Sequence, residues 1–258
     1  MKYNRLIVCG DSYSEGRSDE IVTGQYRGWA DRLADVMARS APDFTYVNLS
    51  VRGKLLKQVI DTQLPEAIGY VTGPDTLLSF HAGANDALRP NYKPDVAQSL
   101  YAQAVRRAAA SGATLMLFTV LERTGNTGRG SDVWAARFGQ FNKIVREVGA
   151  EVGAIIIDAN NETFISDNRF LAFDRLHLNA EGHHRVAQAL LEKLGYEFDP
   201  AWRIPLPPAP ATPWLSQRIS STIWFFTFAL PWVWRRLRGK SSGDGRSAKY
   251  PTPIRWPV

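Results

Sequence analysis

Cysteine is nearly missing from this 258-residue sequence, in which Cys9 is the single example. One cysteine cannot close an intramolecular disulfide, so the small secreted folds that depend on a disulfide framework are excluded. The sequence also has neither a His-x-x-x-His pair nor a cluster of cysteines, so we expect no catalytic metal and no cofactor. Because Met1–Arg5 leads into too few apolar residues for a signal-peptide core, the sequence predicts a cytoplasmic protein.

Long apolar runs are also scarce. The run Ile219–Trp234 is shorter than the ~20 residues that a membrane-spanning helix needs, and Pro231 interrupts it. Acidic residues are rare near the C-terminus: residues 201–258 contain nine Lys and Arg but one Asp, whereas residues 1–200 contain 22 Lys and Arg against 24 Asp and Glu. The basic character of the chain therefore belongs to residues 201–258, where we expect any anionic partner to bind.

Five short apolar segments alternate with helical patterns over the first 198 residues. This alternation predicts an α/β fold, a three-layer α/β/α sandwich around a mostly parallel sheet of five strands. The predicted strands are Leu6–Val8, Phe44–Leu49, Thr76–Phe80, Thr114–Val120 and Ala154–Ile157.

Apolar residues at helical spacing separate these strands. The predicted helices cover Trp29–Ala38, Leu55–Leu64, Pro94–Ser111, a segment from Ser131 or Asp132 to Val152, and a closing helix capped by Asn179. The glycine-rich stretch Thr124–Gly130 lacks the spacing of a dinucleotide loop and is expected to form a flexible rim of the site.

The first predicted strand ends in Cys9-Gly10-Asp11-Ser12, which indicates a buried strand that opens into a loop. A serine at the carboxyl end of a central strand lies in the crevice where open α/β sheets bind their ligands. Asp and Ser after a strand also form ordinary turns and helix caps. Ser12 is therefore a candidate nucleophile that needs partners elsewhere in the chain.

A serine hydroxyl needs a base within hydrogen-bonding distance, and the base needs a third group that orients it. Three of the four histidines lie inside predicted elements, where core packing or a polar helix face explains them: His81, His183 and His184. His177 lies in a loop, three residues after Asp174. We therefore predict Ser12 as the nucleophile, His177 as its base and Asp174 as the carboxylate that orients the imidazole.

Acyl transfer also needs hydrogen-bond donors for the developing oxyanion. Gly53 and Asn85 follow the second and third predicted strands, at the edge of the sheet where Ser12 lies. The backbone N–H groups of Ser12 and Gly53 and the side-chain amide of Asn85 are the predicted donors. Each residue alone also fits an ordinary turn or cap, so the prediction depends on their occurring together.

Four blocks of the sequence resemble, in identity and in order, the conserved blocks of the SGNH, or GDSL, hydrolase superfamily. They are Gly10-Asp11-Ser12-Tyr13-Ser14, Asn48–Gly53, Gly83-Ala84-Asn85-Asp86 and Asp174-Arg175-Leu176-His177. The resemblance covers residues 4–195 and implies a flavodoxin-like sandwich with serine esterase or acylhydrolase activity. It also implies the roles given above: Ser12 as nucleophile and donor, Gly53 and Asn85 as donors, and Asp174 with His177 completing a triad.

Composition changes near residue 198, which predicts a hydrolase domain at residues 1–198 and an extension at residues 199–258. The extension contains the proline-rich linker Pro205–Pro210 and holds six of the eight tryptophans. The minimal family fold does not require it, but it is similar to the basic, Trp-rich extensions of actinobacterial members. We expect it to pack on the domain or on a second copy in a homo-oligomer, or to bind an anionic membrane surface. Nucleic-acid binding is not expected, because no recognised module frames the charges.

The predicted function is a serine esterase that cleaves a small or accessible acyl ester through an acyl-enzyme at Ser12. Acyl transfer to an alcohol and thioester hydrolysis stay open as alternatives on the same site. A membrane-surface binding protein that acts through its tail is an alternative of another class. The segment Gly239–Gly243 matches the G-x-S-x-G pattern of α/β-hydrolases, but no histidine follows residue 184, so that reading is excluded.

Overall fold

The computed structural model describes residues 3–122 and 129–257. Its strands are β1 (Arg5–Gly10), β2 (Ile21–Val22), β3 (Gln25–Tyr26), β4 (Thr45–Asn48), β5 (Thr76–His81), β6 (Thr114–Phe118), β7 (Ile155–Ile157) and β8 (Tyr250–Arg255). Within the described ranges, six of them form a central sheet in the order β7-β6-β5-β1-β4-β8. The short strands β2 and β3 pair with each other as a separate hairpin.

Five strands of the central sheet run parallel, and their positions identify the architecture. Numbered along the chain, the parallel strands lie in the order 2-1-3-4-5, which is the flavodoxin-like arrangement. The predicted sandwich with a mostly parallel sheet is confirmed. In such a sheet the ligand site lies outside the carboxyl ends of the strands where the order reverses, which here is the gap between β1 and β5.

The sheet has one strand more than the five predicted. β8 pairs antiparallel with β4, so that Thr45 lies opposite Arg255 and Asn48 lies opposite Tyr250. Its sequence, Tyr-Pro-Thr-Pro-Ile-Arg, does not resemble a strand, because proline has no N–H to donate to a neighbour. An edge strand tolerates proline, since one side of it needs no partner. The sheet therefore includes a strand from the extension, beyond the change in composition near residue 198.

Helices cover both faces of the sheet. They are α1 (Ser12–Glu15), α2 (Gly28–Ser40), α3 (Leu56–Gln58), α4 (Leu64–Gly69), α5 (Ala84–Ala87), α6 (Pro94–Ala109), α7 (Arg129–Glu151), α8 (Ala180–Leu194), α9 (Trp214–Trp224) and α10 (Leu230–Leu237). Buried residues of α2 and α8 pack on one face, and those of α6 and α7 pack on the other. These two apolar clusters form the core of the three layers.

The structure confirms the predicted cap of α8 but not the predicted surroundings of His183. Asn179 caps α8, because its side chain accepts a hydrogen bond from the N–H of Gly182 at 3.0 Å, as predicted. His183 was expected on a polar helix face, but this is wrong: it is buried, and its Nε2 donates to the carbonyl of Arg17 at 3.1 Å. Residues 124–128 of the expected rim, Thr124–Gly130, lie outside the described residues. The last two residues of the rim, Arg129 and Gly130, belong to α7.

Candidate active site

The turn after β1 fixes the position of Ser12. Ser12 is the first residue of α1, and Asp11 caps this helix by accepting a hydrogen bond from the N–H of Tyr13 at 3.1 Å. As the first residue of a helix, Ser12 has a backbone N–H for which the helix itself provides no acceptor. The end of the central strand therefore presents a hydroxyl and an N–H donor on one residue.

Ser12, His177 and Asp174 form a continuous hydrogen-bonded chain. Oγ of Ser12 lies 2.9 Å from Nε2 of His177, and Nδ1 of His177 lies 2.7 Å from Oδ2 of Asp174. Asp174 is buried, whereas Ser12 and His177 are half-buried. The structure thus brings together the three residues predicted as a triad, although 165 positions separate Ser12 from His177 in the sequence.

The carboxylate of Asp174 is held in its ionised form. Burial alone would raise the pKa of Asp174, but hydrogen bonds from the side chain and backbone of His177 and from the N–H of Leu176 lower this pKa to about 2. A carboxylate that only accepts requires the imidazole hydrogen on Nδ1 of His177. Nε2 of the neutral ring then faces the Ser12 hydroxyl as an acceptor.

The loop that carries Asp174 and His177, the triad loop, closes on itself. The N–H of Ala172 donates to the carbonyl of His177 at 2.8 Å, and both the Leu176 and the His177 N–H groups donate to Asp174 Oδ1 at 3.0 Å. Arg175 in this loop has a φ of 58°, a left-handed conformation that side chains rarely adopt. The surrounding hydrogen bonds therefore hold a strained turn in place.

Gly53 lies in a tight loop after β4. Its φ of +74° favours glycine, and a Cβ at this position would lie 2.2 Å from Oγ of Ser241 in the extension. The preceding residue, Arg52, ties the loop to α1: its N–H donates to Oε2 of Glu15 at 2.7 Å, and its guanidinium pairs with the same carboxylate. The ion pair keeps Gly53 close to the helix that begins with Ser12.

The side-chain amide of Asn85, predicted as an oxyanion donor, is already hydrogen-bonded. Its Nδ2 donates to Oδ2 of Asp11 at 2.9 Å and to the carbonyl of Lys54 at 3.1 Å. Burial raises the pKa of Asp11 to about 6, although hydrogen bonds from Tyr13 and Asn85 lower it in part. The structure therefore adds Asp11 as the group that orients Asn85, a contact that the sequence did not indicate.

Gln63 is a second residue that the sequence analysis missed. Its side chain is buried, and it clamps Gly10 at the end of β1: Oε1 accepts from the Gly10 N–H at 2.8 Å, and Nε2 donates to the Gly10 carbonyl at 3.0 Å. Gln63 follows the buried Val59 by one helical turn. In the sequence, the one sign of this role was that Gln63 is a polar residue on an otherwise apolar helix face.

The extension reaches the triad loop as well. The indole N–H of Trp224 donates to the backbone carbonyl of Asp174 at 3.0 Å. The guanidinium of Arg175 lies 4.9 Å from the centre of the Trp224 ring, and its Nη2 lies 3.3 Å from Oγ of Ser221. Helix α9 therefore rests against the backbone of the loop that carries Asp174 and His177.

Burial also disfavours the charged form of His81, an ionisable group close to the site. His81 at the end of β5 packs its ring against Tyr13 and Phe118, and burial lowers its pKa to about 4. His81 is therefore neutral at neutral pH, in line with the core role expected for it. Over the described residues, no group of three or more His, Cys, Asp and Glu side chains is arranged to hold a metal ion.

Solved structures with a similar fold include an esterase, both unaltered and as a variant. An acetylxylan esterase from Geobacillus stearothermophilus is 19% identical with a TM-score of 0.63, and the match covers 76% of this chain and 98% of that one. A variant of the same enzyme, described as an acetyl-xylooligosaccharide esterase, is 20% identical with a TM-score of 0.63, over 76% of this chain and 98% of that one. An α/β hydrolase from the metagenome of Lake Arreo in Spain is 20% identical, with a TM-score of 0.59, over 74% of this chain and 95% of that one. At these identities the likeness shows a shared fold.

Two further comparisons concern the sequence. No curated protein matches the chain. The family of GDSL-like lipases and acylhydrolases matches residues 8–185, a range that includes Ser12, Gly53, Asn85, Asp174 and His177. Because this match covers more than half of the chain, the protein belongs to the GDSL-like lipase/acylhydrolase family and is a carboxylic ester hydrolase.

Proposed function

We propose that this protein is a serine esterase that hydrolyses short acyl esters through an acyl-enzyme at Ser12. The observation that supports it most is the hydrogen-bonded chain from Oγ of Ser12 to Nε2 of His177, 2.9 Å, and from Nδ1 of His177 to Asp174, 2.7 Å. A serine hydroxyl activated by an imidazole that a carboxylate orients is the arrangement that nucleophilic catalysis requires.

The reaction proceeds in two halves. Oγ of Ser12 bonds to the carbonyl carbon of the ester while its proton moves to Nε2 of His177, and the ionised Asp174 stabilises the imidazolium. His177 then gives this proton to the departing alcohol, which leaves the acyl group on Ser12. Water attacks the acyl-enzyme, its proton moves to Nε2, and the acid leaves as Ser12 recovers a proton. General acid–base catalysis of this kind contributes ~10² to 10⁴ in rate.

Three donors serve the oxyanion in this proposal: the N–H groups of Ser12 and Gly53 and the amide of Asn85. Asn85 gives one amide hydrogen to the carboxyl group of Asp11 and the other to the neutral carbonyl of Lys54. A hydrogen bond to an anion is roughly twice as strong as one to a neutral acceptor. The oxyanion therefore competes for the hydrogen that Lys54 holds, while Asp11 keeps the amide oriented.

Short acyl groups, acetyl first, are the proposed substrates. One residue joins β1 to α1 and two residues join β5 to α5, so these two connections leave little room for a long lid over Ser12. The esterase from Geobacillus that shares the fold is described as an acetylxylan esterase and, in its variant, as an acetyl-xylooligosaccharide esterase. Both observations favour an accessible site over a buried tunnel for a long acyl chain.

The test of the nucleophile is hydrolysis of 4-nitrophenyl acetate by the Ser12→Ala variant. We expect kcat to fall by roughly 10⁴-fold or more, because removal of the nucleophile leaves only binding and oxyanion stabilisation. Ser14→Ala is the matched control, since the Ser14 hydroxyl is buried without a partner among the described residues. Undiminished turnover by Ser12→Ala, or attachment of a fluorophosphonate label at another residue, contradicts the proposal.

Substrate class is tested by a series of nitrophenyl esters from acetyl to octanoyl, repeated with the corresponding thioesters. We expect kcat/KM to be highest for acetyl and to fall with chain length. A maximum at long chains contradicts the proposed short acyl group. Higher kcat/KM for the thioesters favours the thioesterase alternative, and release of a new ester when an alcohol is added favours acyl transfer.

A further inference from the structure

The extension contains a continuous helical segment that α9, a π turn at Phe225–Ala229 and α10 form together, residues 214–237. We call it the helical arm. Its outer side is strongly apolar: Ile219 and Ile223 are about half exposed, and Phe226 and Leu237 are 62% and 76% exposed. Among the described residues, no helix is long and apolar enough to cross a membrane.

This exposure is concentrated in the arm. Of the eighteen large apolar residues that are exposed in the described part of the chain, ten lie between Trp214 and Leu237. Single exposed apolar residues on a soluble protein are ordinary, but a contiguous patch of this kind marks an interaction site. The chemistry of its surroundings identifies the partner.

Positive charge accompanies the apolar surface. The segment from residue 214 to 240 contains five Arg and Lys and no Asp or Glu. Arg218 lies 5.9 Å from the Trp214 ring and Arg238 lies 4.4 Å from the Trp234 ring, so a tryptophan and an arginine lie together near each end of the arm. Tryptophan beside a basic residue suits the headgroup region of an anionic bilayer. A second copy packed arm to arm would bring the same positive charges together, which disfavours self-association.

The inner side of the arm contacts the triad loop at Trp224. Trp224, Phe228 and Trp232 recur at one-turn spacing and are half-buried, in contrast to the exposed residues between them. Through the hydrogen bond from Trp224 to the Asp174 carbonyl, the arm is attached to the triad loop. The arm is therefore attached to the body at the loop that carries Asp174 and His177.

We propose that the helical arm docks this protein on an anionic lipid surface, with its aliphatic and aromatic outer side inserted among the acyl chains and its arginines at the headgroups. Because Trp224 joins the arm to the triad loop, docking places Ser12 and His177 close to the bilayer. The docking goes beyond the proposed esterase function and does not depend on it.

The test is sedimentation of the full-length protein with vesicles of phosphatidylcholine alone and with vesicles that also contain phosphatidylglycerol. We expect binding to the anionic vesicles, with affinity that falls as salt rises. The double variant Ile219→Glu with Phe226→Glu is expected to bind at least tenfold more weakly, and Arg238→Gln about fivefold more weakly. Circular dichroism and the thermal midpoint verify that each variant is folded.

A matched control comes from the body of the protein. Val96 on α6 and Val133 on α7 are 53% and 52% exposed, close to the exposure of Ile219. The double variant Val96→Glu with Val133→Glu has the same change in charge and is expected to bind vesicles more strongly than the arm variant. Equal sedimentation of the two double variants overturns the proposal.

Two other outcomes also overturn the proposal. The first is no sedimentation of the parent protein with anionic vesicles at low salt. The second is a concentration-dependent dimer that the arm variant disperses, seen by light scattering, together with absence of vesicle binding. Ser12→Ala is expected to bind vesicles as the parent does while losing turnover of 4-nitrophenyl acetate, so failure of docking and failure of the esterase function are distinguishable.

Discussion

The two parts of the extension, the helical arm and β8, come from one basic and aromatic stretch but contact the body in different ways. β8 joins the central sheet beside β4 and contributes backbone hydrogen bonds. The helical arm contacts the triad loop through Trp224 and exposes most of its apolar side chains. Composition therefore does not decide which part of this tail joins the folded core. β8 joins the core because the edge strand β4 is free to pair with it and α2 binds the residues at both of its ends.

A buried ion pair anchors the strand part. Lys249, directly before β8, is 9% exposed, and its Nζ donates to Oδ2 of Asp31 at 2.6 Å and to the carbonyl of Arg27 at 2.8 Å. Asp31 also accepts a hydrogen bond from the hydroxyl of Tyr46 on β4 at 2.9 Å. At the other end of β8, the indole of Trp256 donates to Asp35 at 2.7 Å. Both ends of the strand are therefore fixed to α2.

The largest effect is expected when this anchor is removed. Lys249→Met leaves the carboxylate of Asp31 buried without its cation, which costs about 3–5 kcal/mol of the free energy of unfolding. The measurement is urea unfolding followed by tryptophan fluorescence. Arg238→Met, which removes an exposed cation next to the helical arm, is expected to change the same quantity by less than about 0.5 kcal/mol.

A second variant separates the ion pair from the packing of the strand. Asp31→Asn combined with Lys249→Met removes both charges, and we expect it to recover most of the lost stability. If Lys249→Met costs no more than Arg238→Met, then β8 is held no more firmly than the helical arm and the comparison between the two parts fails.

A pH series separates the two contacts of Asp174, because the helical arm touches its carbonyl and His177 touches its carboxylate. The folded-state pKa of Asp174, about 2, lies below the ordinary value of 3.8, so the stabilisation is complete above the ordinary value and is lost as pH falls through the folded one. We expect the free energy of unfolding to lose about 2 kcal/mol from this residue across that range. Urea unfolding between pH 5 and pH 2 measures it.

The control for this series comes from the arm. Asp174→Asn is expected to abolish this part of the acid dependence. Trp224→Phe is expected to retain it, since the indole bonds to the backbone and not to the carboxylate. Loss of the acid dependence in Trp224→Phe contradicts the separation of the two contacts.

The smallest effect is expected for the arm contact itself. Trp224→Phe keeps an aromatic ring but removes the donor to the Asp174 carbonyl, which costs about 1 kcal/mol of stability. Because the triad loop loses one restraint, we expect a few-fold decrease in kcat for 4-nitrophenyl acetate with little change in KM. Trp214→Phe is the matched control, since Trp214 is 69% exposed and lies at the far end of α9. An equal decrease in both variants means that Trp224 does not act as a positioning residue.

The sequence predicted those parts of the site that depend on short segments and their order. Ser12 follows a strand, and Asp174 and His177 share one turn, so residue type and spacing made them candidates. The order of the four blocks, which resembles that of the SGNH superfamily, was needed to assign them to one site. The contacts of Asp11 with Asn85 and of Gln63 with Gly10 could not be predicted in this way. Each joins residues more than fifty positions apart. Gly10, Asp11 and Asn85 lie in the family blocks, but a block does not indicate which of its groups contact each other or Gln63.

By itself, the sequence determined the five parallel strands, the edge of the sheet where the polar blocks meet and the family to which the chain belongs. Periodicity and strand-end residues are local properties, and local properties can be read from a linear chain. The tertiary structure alone decided that β8 completes the sheet, that Ser241 packs over Gly53 and that Trp224 reaches Asp174. These contacts depend on which surfaces the folded body leaves unpaired, and those surfaces exist only after the body has folded.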